Sequence, residues 1–483
     1  MLTFWVSIAI LLVGYFLYGT FVERVFAPQE QRPTPAIRLN DGVDYVPMDW
    51  KRDFLIQLLN IAGLGPIFGA IQGALWGPVA FIWIVLGGIF AGAVHDYLVG
   101  MLSVRHDGAN LPAIVGNYLG PKMKQFVNIF TVIVLILVGT VFMTGPAQLL
   151  ARLTPESLNY SFWLGVILVY YFLATVLPID KIIGRIYPLF GAILIIMAVG
   201  VVGGIMFEGY RIPELTLANL HPQGAPLWPL LFITIACGAI SGFHATQSPL
   251  IARCLENERY GRRVFYGAMI AESIIALIWA AAAMAFFGGT SGLANGLKSL
   301  GGPAGVVNQA SFTLLGTIGG VLAVLGVIVL PVTSGDTAFR AARLTIAEFI
   351  GLKQGPILNR YKIAIPIFAV GFILSQIDFT IVWRYFAWSN QTLAMIALWA
   401  AAVYLARQRS FHWVATLPAA FMTAVSITYI LQAPEGLHLA TSISYPVGLV
   451  AAALALLAFL WQVYTREAVS EAAAAAKPKP EPR

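Results

Sequence analysis

Residues 53–76 read DFLIQLLNIAGLGPIFGAIQGALW. The run is long and apolar enough to cross a bilayer, yet Gly63, Gly65, Pro66, Gly69 and Gly73 crowd its middle. Glycine is loose in a helix, and Pro66 lacks the amide that would bond one turn back. The pattern predicts a membrane helix broken near 63–66. Residues 228–253, WPLLFITIACGAISGFHATQSPLIAR, repeat the theme. There Gly238, Gly242 and Pro249 bracket the polar Ser241, His244, Thr246, Gln247 and Ser248, and the segment is expected to unwind at mid-membrane. The alternative is that the glycines only let helices pack closely. At an offset of 175 residues Gly63, Phe68, Ala70 and Gln72 meet Gly238, Phe243, Ala245 and Gln247.

Working outward, the 483 residues are 59% hydrophobic and 11% charged, with a mean hydropathy of +0.81. Soluble domains carry about 25% charge. A soluble enzyme, a disordered scaffold and a secreted disulfide protein are therefore excluded. Thirteen apolar runs qualify as spans, near 3–21, 54–75, 78–102, 126–149, 161–178, 186–207, 228–249, 264–288, 313–337, 363–377, 382–405, 413–432 and 443–464. They are apolar on every face, which fits helices and not the alternating strands of a barrel. The first run has no basic residue before it and no small-residue cleavage site, so it reads as a retained span.

With the N-terminus outside and thirteen crossings, one set of loops holds all but Arg152, Arg211, Lys298 and Arg384 of the 29 basic residues. That asymmetry places the basic loops and the C-terminus in the cytoplasm. The net charge of +7 thus reports topology, not nucleic-acid binding. Two stretches lie outside the bilayer: a Pro-containing loop over 22–53 and a tail over 465–483 that starts Ala-rich and ends KPKPEPR. Cys237 and Cys254 are too far apart along one segment to bridge and read as buried free thiols. No CxxC and no Cys/His metal spacing occurs, so no metal ligand set is assigned.

Ionisable and polar residues inside spans are functional candidates by default. His95 and Asp96 lie about 13–15 Å deep from the basic end at Arg105. They read either as a proton-carrying pair or as a cap for a broken helix. Glu272 is either a proton relay or a neutraliser of Arg253 or Arg262. Asp336 and Arg340 stand at i,i+4, as an ion pair or a gate. Asn390 and Gln391 follow the aromatics Trp383, Tyr385, Phe386 and Trp388, which form either an interfacial belt or an outer lid. Asp378 and Arg384 are expected to pair across the outer turn.

Four stretches together resemble the carbon-starvation protein A family: residues 60–108, NIAGLGPIFGAIQGALWGPVAFIWIVLGGIFAGAVHDYLVGMLSVRHDG; 233–253, ITIACGAISGFHATQSPLIAR; 333–344, TSGDTAFRAARL; and 384–394, RYFAWSNQTLA. The resemblance implies an all-α inner-membrane transporter related to the amino acid–polyamine–cation superfamily, with a leucine-transporter-like inverted repeat. It implies an extra span over 1–21, repeats over 54–207 and 228–405, and two further spans over 413–464. It implies no enzyme activity and no cofactor, and a small substrate: pyruvate or a short peptide. A carboxylate would meet freed amides near Gly63–Gly65 and Gly238–Ser241, where half-helix ends favour anions. Asn60, Gln72, His244, Gln247, Asn390 and Gln391 would add polar contacts. Coupling would run through protons at His95 and Asp96, or through a bound sodium ion held by Thr333 and Ser334 with carbonyls near Ala62 and Gly65, the alternative being that these two hydroxyls only cap the backbone of a kinked helix. The rival readings are a transporter-fold nutrient sensor, a channel, and a membrane enzyme or electron carrier. The spacing leaves the oligomeric state open.

Overall fold

The computed structural model describes residues 1–475 apart from 43, 177–179 and 355, and leaves undescribed the side chains of 180–187 and 466–475. The side chains of Lys181, Arg185 and Arg466, and all of Lys477, Lys479 and Arg483, lie outside the described residues. Among the described residues the chain is all-helical, with no β-strand beyond one isolated bridge between Met48 and Leu255. Lipid offers no hydrogen bonds, so each apolar run must satisfy its own amides and carbonyls, and a helix does this within one segment.

Apart from the short connecting helices Pro35–Arg38, Leu111–Leu119 and Thr290–Ser299, the helices are α1 (Leu2–Phe26), α2 (Trp50–Ile61), α3 (Gly65–Trp76), α4 (Val79–Arg105), α5 (Pro121–Leu153), α6 (Tyr160–Val176), α7 (Pro188–Phe207), α8 (Leu230–Thr234), α9 (Gly242–Ala252), α10 (Glu258–Phe286), α11 (Pro303–Phe349), α12 (Ile357–Leu374), α13 (Phe379–Arg407), α14 (Trp413–Gln432) and α15 (Thr441–Thr465). By length and composition, ten described helices could each cross a membrane, and α2 with α3 makes an eleventh span bent by 57°. The other two expected runs fall on α6, which is 17 residues long, and on the interrupted pair α8 and α9.

Both expected interruptions are present. The first lies at Ala62–Leu64, after which Gly65–Gly69 is wound as a wide π-turn. The second lies at Ile235–Ser241, so His244, Thr246, Gln247 and Ser248 are helical and not part of the unwound stretch. Pro249 sits within α9 and does not end it. At about 1.5 Å per residue the 47 residues of α11 would reach roughly 70 Å if straight. They are divided at Gly316, which takes a φ of 65°, a left-handed value that a side chain disfavours.

Burial separates centre from periphery. The apolar windows of α4, α10 and α13 are 83% buried, whereas those of α1 and α15 are 22% buried. Exposed Phe16, Leu17, Leu454 and Trp461 make α1 and α15 the lipid-facing shell. At the basic end the 22–53 loop is docked, not free. Met48 N donates to Cys254 O at 3.0 Å, and Gln29 N to Glu258 at 2.7 Å. Arg105 grips Glu258 with Nε and Nη2, both at 2.8 Å, and Arg262 pairs with Glu23 at 2.7 Å.

The expected pairing of Asp378 with Arg384 is not found. Asp378 caps α13 by accepting from Thr380 N at 2.9 Å, and Arg384 lies 3.6 Å from Glu435. An N-cap carboxylate satisfies amides that the helix itself leaves orphaned, and so outcompetes an exposed ion pair.

Candidate functional site

The two interruptions meet at the centre of the bundle. A Cβ placed on Gly65 would stand 2.2 Å from Cys237 Cβ and 2.3 Å from its Sγ, so no larger residue fits there. Gly63 is covered in the same way by the Phe142 ring, 2.2 Å from the position of a Cβ. Gly65 thus lets the first break approach the second at Cys237, and Gly63 lets it approach α5.

Beside this junction lies a four-membered ionisable cluster, every member fully buried. His95 Nδ1 is 2.8 Å from Asp96 Oδ1, and His244 Nδ1 is 2.8 Å from Asp96 Oδ2. His244 Nε2 is 3.3 Å from Glu272 Oε2. That contact has no hydrogen-bond geometry, and both Glu272 oxygens and His244 Nε2 are left without a hydrogen-bond partner. α4 supplies His95 and Asp96, α9 supplies His244, and α10 supplies Glu272. No Lys or Arg pairs with either carboxylate among the described residues. With both carboxylates ionised and both imidazoles neutral, two charges would be uncompensated in a dry interior, at a cost of several kcal/mol each. The cluster therefore calls for protons or a cation. Glu272 does not reach the basic end: Arg262 pairs with Glu23, and Arg253 donates to Gly108 O at 3.1 Å.

The other candidates divide between the junction and elsewhere. Asn390 Oδ1 accepts from Phe243 N at 2.6 Å and from Ser241 Oγ at 3.2 Å, which caps the start of α9. Its Nδ2 lies 3.5 Å from Cys237 Sγ. Gln391 Nε2 donates to Phe232 O at 2.6 Å and Ile235 O at 3.3 Å, carbonyls released where α8 ends. Gly238 packs against Ala276 and Pro66. Asn60 is buried on the last turn of α2, and Ala62 closes that helix with a bond to Leu58 O at 2.9 Å. Gln72 and Gln247 are turned to neighbours on their own helices: Gln72 Nε2 donates to Phe68 O at 3.2 Å, and Gln247 Nε2 to Thr246 Oγ1 at 3.0 Å.

Ser334 Oγ lies 2.9 Å from Leu330 O on its own helix and 3.1 Å from Leu59 O of the first interrupted span, one turn short of the expected Ala62 and Gly65. Thr333 stays on its own helix with Leu330 O at 2.9 Å. A hydroxyl on a helix readily bonds the carbonyl one turn back, as both Thr333 and Ser334 do, and of the two Ser334 also faces the first interrupted span. Asp336 accepts from Tyr170 OH at 3.4 Å, and Arg340 donates to Ala174 O at 2.7 Å.

A pocket of about 290 Å³ opens at the end opposite the basic loops, lined by Thr140, Thr144, Gln148, Asp378, Phe379 and Val382. Aromatic rings stand between it and the junction. Phe68 lies 6.0 Å from Phe379 and 6.2 Å from Trp383, and Trp383 lies 5.4 Å from Phe386, centroid to centroid. Of the four aromatics read as belt or lid, Trp383 and Phe386 are buried in this wall, and Tyr385 is 39% exposed.

Sequence reasoning missed three residues here. Cys237 approaches His244 and Glu272, with one ligand atom of each within 4.8 Å of the others. It remains a free thiol, as expected, but its neighbours come from across a non-helical break and from another helix, so no fixed spacing announces them. Asp53 and Gln57, one turn apart on α2, are fully buried with no partner for their side-chain oxygens. Two polar residues at i,i+4 in an apolar run were the available signal. Cys254, the other free thiol, sits past α9, and burial pushes it up to about 11.

Interrupted helices packed break to break, around buried ionisable groups, define a multi-pass membrane protein of transporter fold. Solved transporters share it. The chain superposes on MhsT in complex with L-phenylalanine with a TM-score of 0.54 at 14% identity, covering 85% of this chain and 98% of that one. It superposes on a mutant of the Eremococcus coleocola manganese transporter with a TM-score of 0.52 at 15% identity, covering 88% and 97%. The family model for carbon starvation protein CstA matches residues 1–158 and 152–309, and the chain belongs to that family. An uncharacterized membrane protein of Haemophilus influenzae is 47% identical over 59% of this chain and 91% of its own length. The peptide transporter CstA of Escherichia coli is 27% identical over 87% and 79%. The pyruvate/proton symporter BtsT of Escherichia coli is 28% identical over 56% of this chain and 47% of its own length.

Proposed function

We propose that this transporter imports a small carboxylate-bearing nutrient, pyruvate or a short peptide, across the inner membrane by proton symport. The observation that carries the reading is the Asp96 carboxylate held between two imidazoles, with Glu272 beyond His244, all fully buried beside the two interrupted segments. An imidazole can take a proton on one nitrogen and release one from the other, so His244 bridges Glu272 and Asp96 as a relay. The relatives named as a peptide transporter and a pyruvate/proton symporter support both the substrate class and the ion. Segments 54–207 and 228–405 act as inverted repeats that rock about the junction, with α1 before them and α14 and α15 after. The N-terminus is outside and the C-terminus cytoplasmic. The substrate carboxylate approaches the freed backbone at 62–64 and 235–241, and the pocket lined by Asp378 and Phe379 is the outer vestibule.

One observation favours a second reading. Ser334 Oγ reaches the Leu59 carbonyl across the helix interface, an oxygen pair of the kind a sodium ion would use. Uptake of labelled pyruvate and of a labelled dipeptide into proteoliposomes separates the two. Each is run with an inward proton gradient, an inward sodium gradient, or neither. Accumulation driven by protons alone supports the relay. A sodium requirement transfers coupling to Ser334, and absence of uptake for both solutes removes the substrate reading.

A further inference from the structure

Cys237 stands beside His244 and Glu272, and the proton relay gives its thiol no part. Cys237 is the one thiol in the bundle centre, and it faces an imidazole nitrogen and a carboxylate that both lack hydrogen bonds. One ligand atom from each lies within 4.8 Å of the other two. We propose that these three residues bind a zinc ion, with the fourth coordination position open.

The chemistry favours zinc over harder cations. Thiolate and imidazole select borderline and soft metals, whereas magnesium, calcium and manganese prefer oxygen. Zinc takes sulfur at about 2.3 Å, and nitrogen or carboxylate oxygen at about 2.0–2.2 Å, in a tetrahedron whose edges are then about 3.4–3.6 Å. Contraction from 4.8 Å to that edge is a matter of about an ångström, within reach of side-chain rotation in Glu272 and Cys237.

The surroundings are already arranged for it. Zinc-bound histidines commonly donate their other ring nitrogen to a carboxylate, which fixes the tautomer. His244 Nδ1 lies 2.8 Å from Asp96 Oδ2, leaving Nε2 as the lone pair on the side of Glu272. Asn390 Nδ2, which lies 3.0 Å from Ser241 Oγ, also donates to the sulfur at 3.5 Å, a contact that favours the thiolate. A zinc ion and one thiolate would also compensate the charge that Glu272 brings into the interior.

Binding would tie segment 235–252 to α10 and withdraw His244 and Glu272 from proton transfer. Zinc is thus an inhibitor of uptake, a consequence that rests on the symport reading above. The binding itself does not, and is tested without transport.

The full-length protein, stripped with chelator in detergent, is titrated with zinc by equilibrium dialysis, and the loaded protein is examined by zinc X-ray absorption. One ion per chain is expected, with one sulfur at about 2.3 Å and the rest nitrogen or oxygen. Cys237→Ser and Glu272→Gln should each weaken binding by more than about tenfold, since even outer-shell changes cost about 10–100-fold. Cys254→Ser should leave affinity unchanged, and magnesium in excess should not compete. A metal shell without sulfur in the wild-type protein overturns the proposal whatever the variants do, as does undiminished affinity in Cys237→Ser. Zinc binding with unaffected proton-driven uptake would overturn only the inhibitory consequence.

Discussion

Replacing Asp96 by asparagine keeps the shape of the cluster and removes its central charge. In the native protein the two carboxylate oxygens face His95 Nδ1 and His244 Nδ1, each at 2.8 Å. Hydrogen bonds to a charged group contribute about 1.5–3 kcal/mol each. Asparagine can accept from one imidazole but presents an amide N–H₂ to the other, and where that other is His244 the bond that ties α9 to α4 is lost. That loss corresponds to about a 10- to 150-fold change in how firmly α9 is held to α4. The functional effect is larger in kind. An inward gradient of one pH unit is worth about 1.36 kcal/mol per proton, enough for about tenfold accumulation by a one-proton symporter. Wild-type proteoliposomes should approach that ratio, and Asp96→Asn should fall to a ratio near one. Counterflow of labelled against unlabelled substrate, which needs no net proton movement, should persist in the variant. Uphill uptake surviving in Asp96→Asn would refute the relay.

Three further outcomes rest on other contacts in the bundle. Gly65→Ala forces a carbon into a 2.2 Å contact with Cys237, where about 3.5–4.0 Å is needed. It should cost about 1–3 kcal/mol of stability to unfolding in detergent, and Cys237→Gly in the same chain should recover most of it, whereas strictly additive losses would show that the breaks do not touch. Glu258→Ala strips the partner from a two-pronged Arg105 contact in which Glu258 is 1% exposed. A loss of about 3–5 kcal/mol is expected, and an unaltered unfolding curve would count against this latch at the basic end. The Cys254 thiol, pushed up to about 11 by burial, should be about one part in 10⁴ thiolate at pH 7. Its alkylation rate, followed in Cys237→Ser, should rise about tenfold per pH unit from 7 to 10, and a plateau below pH 9 would contradict the burial seen.

The residues that were legible in the sequence are those whose chemistry acts locally. Apolar runs announce spans because lipid punishes an unmade backbone hydrogen bond at every position. Gly63, Gly65 and Pro66 announce an interruption because each weakens the helix where it stands. His95 and Asp96 stand out because charge is rare at that depth. The second interruption was legible in kind but not in place: the unwound stretch ends at Ser241, because the Asn390 side chain, 147 residues further on, supplies the cap for Phe243 N and starts α9 early.

Tertiary structure alone decided which of these residues meet. Asp96 faces His244 from 148 residues away, and His244 faces Glu272, because α4, α9 and α10 converge on the junction of the two breaks. Cys237 enters the same cluster through a stretch with no regular period, so no count of residues could align it with His244. Asp378 and Arg384 were near in sequence and went to different partners, since a helix amide and Glu435 were nearer in space. Sequence specifies where a chain must cross, bend and avoid charge, since those costs are local. Which buried charges share a cavity depends on how the helices cross, and that geometry is set by close packing along their whole length.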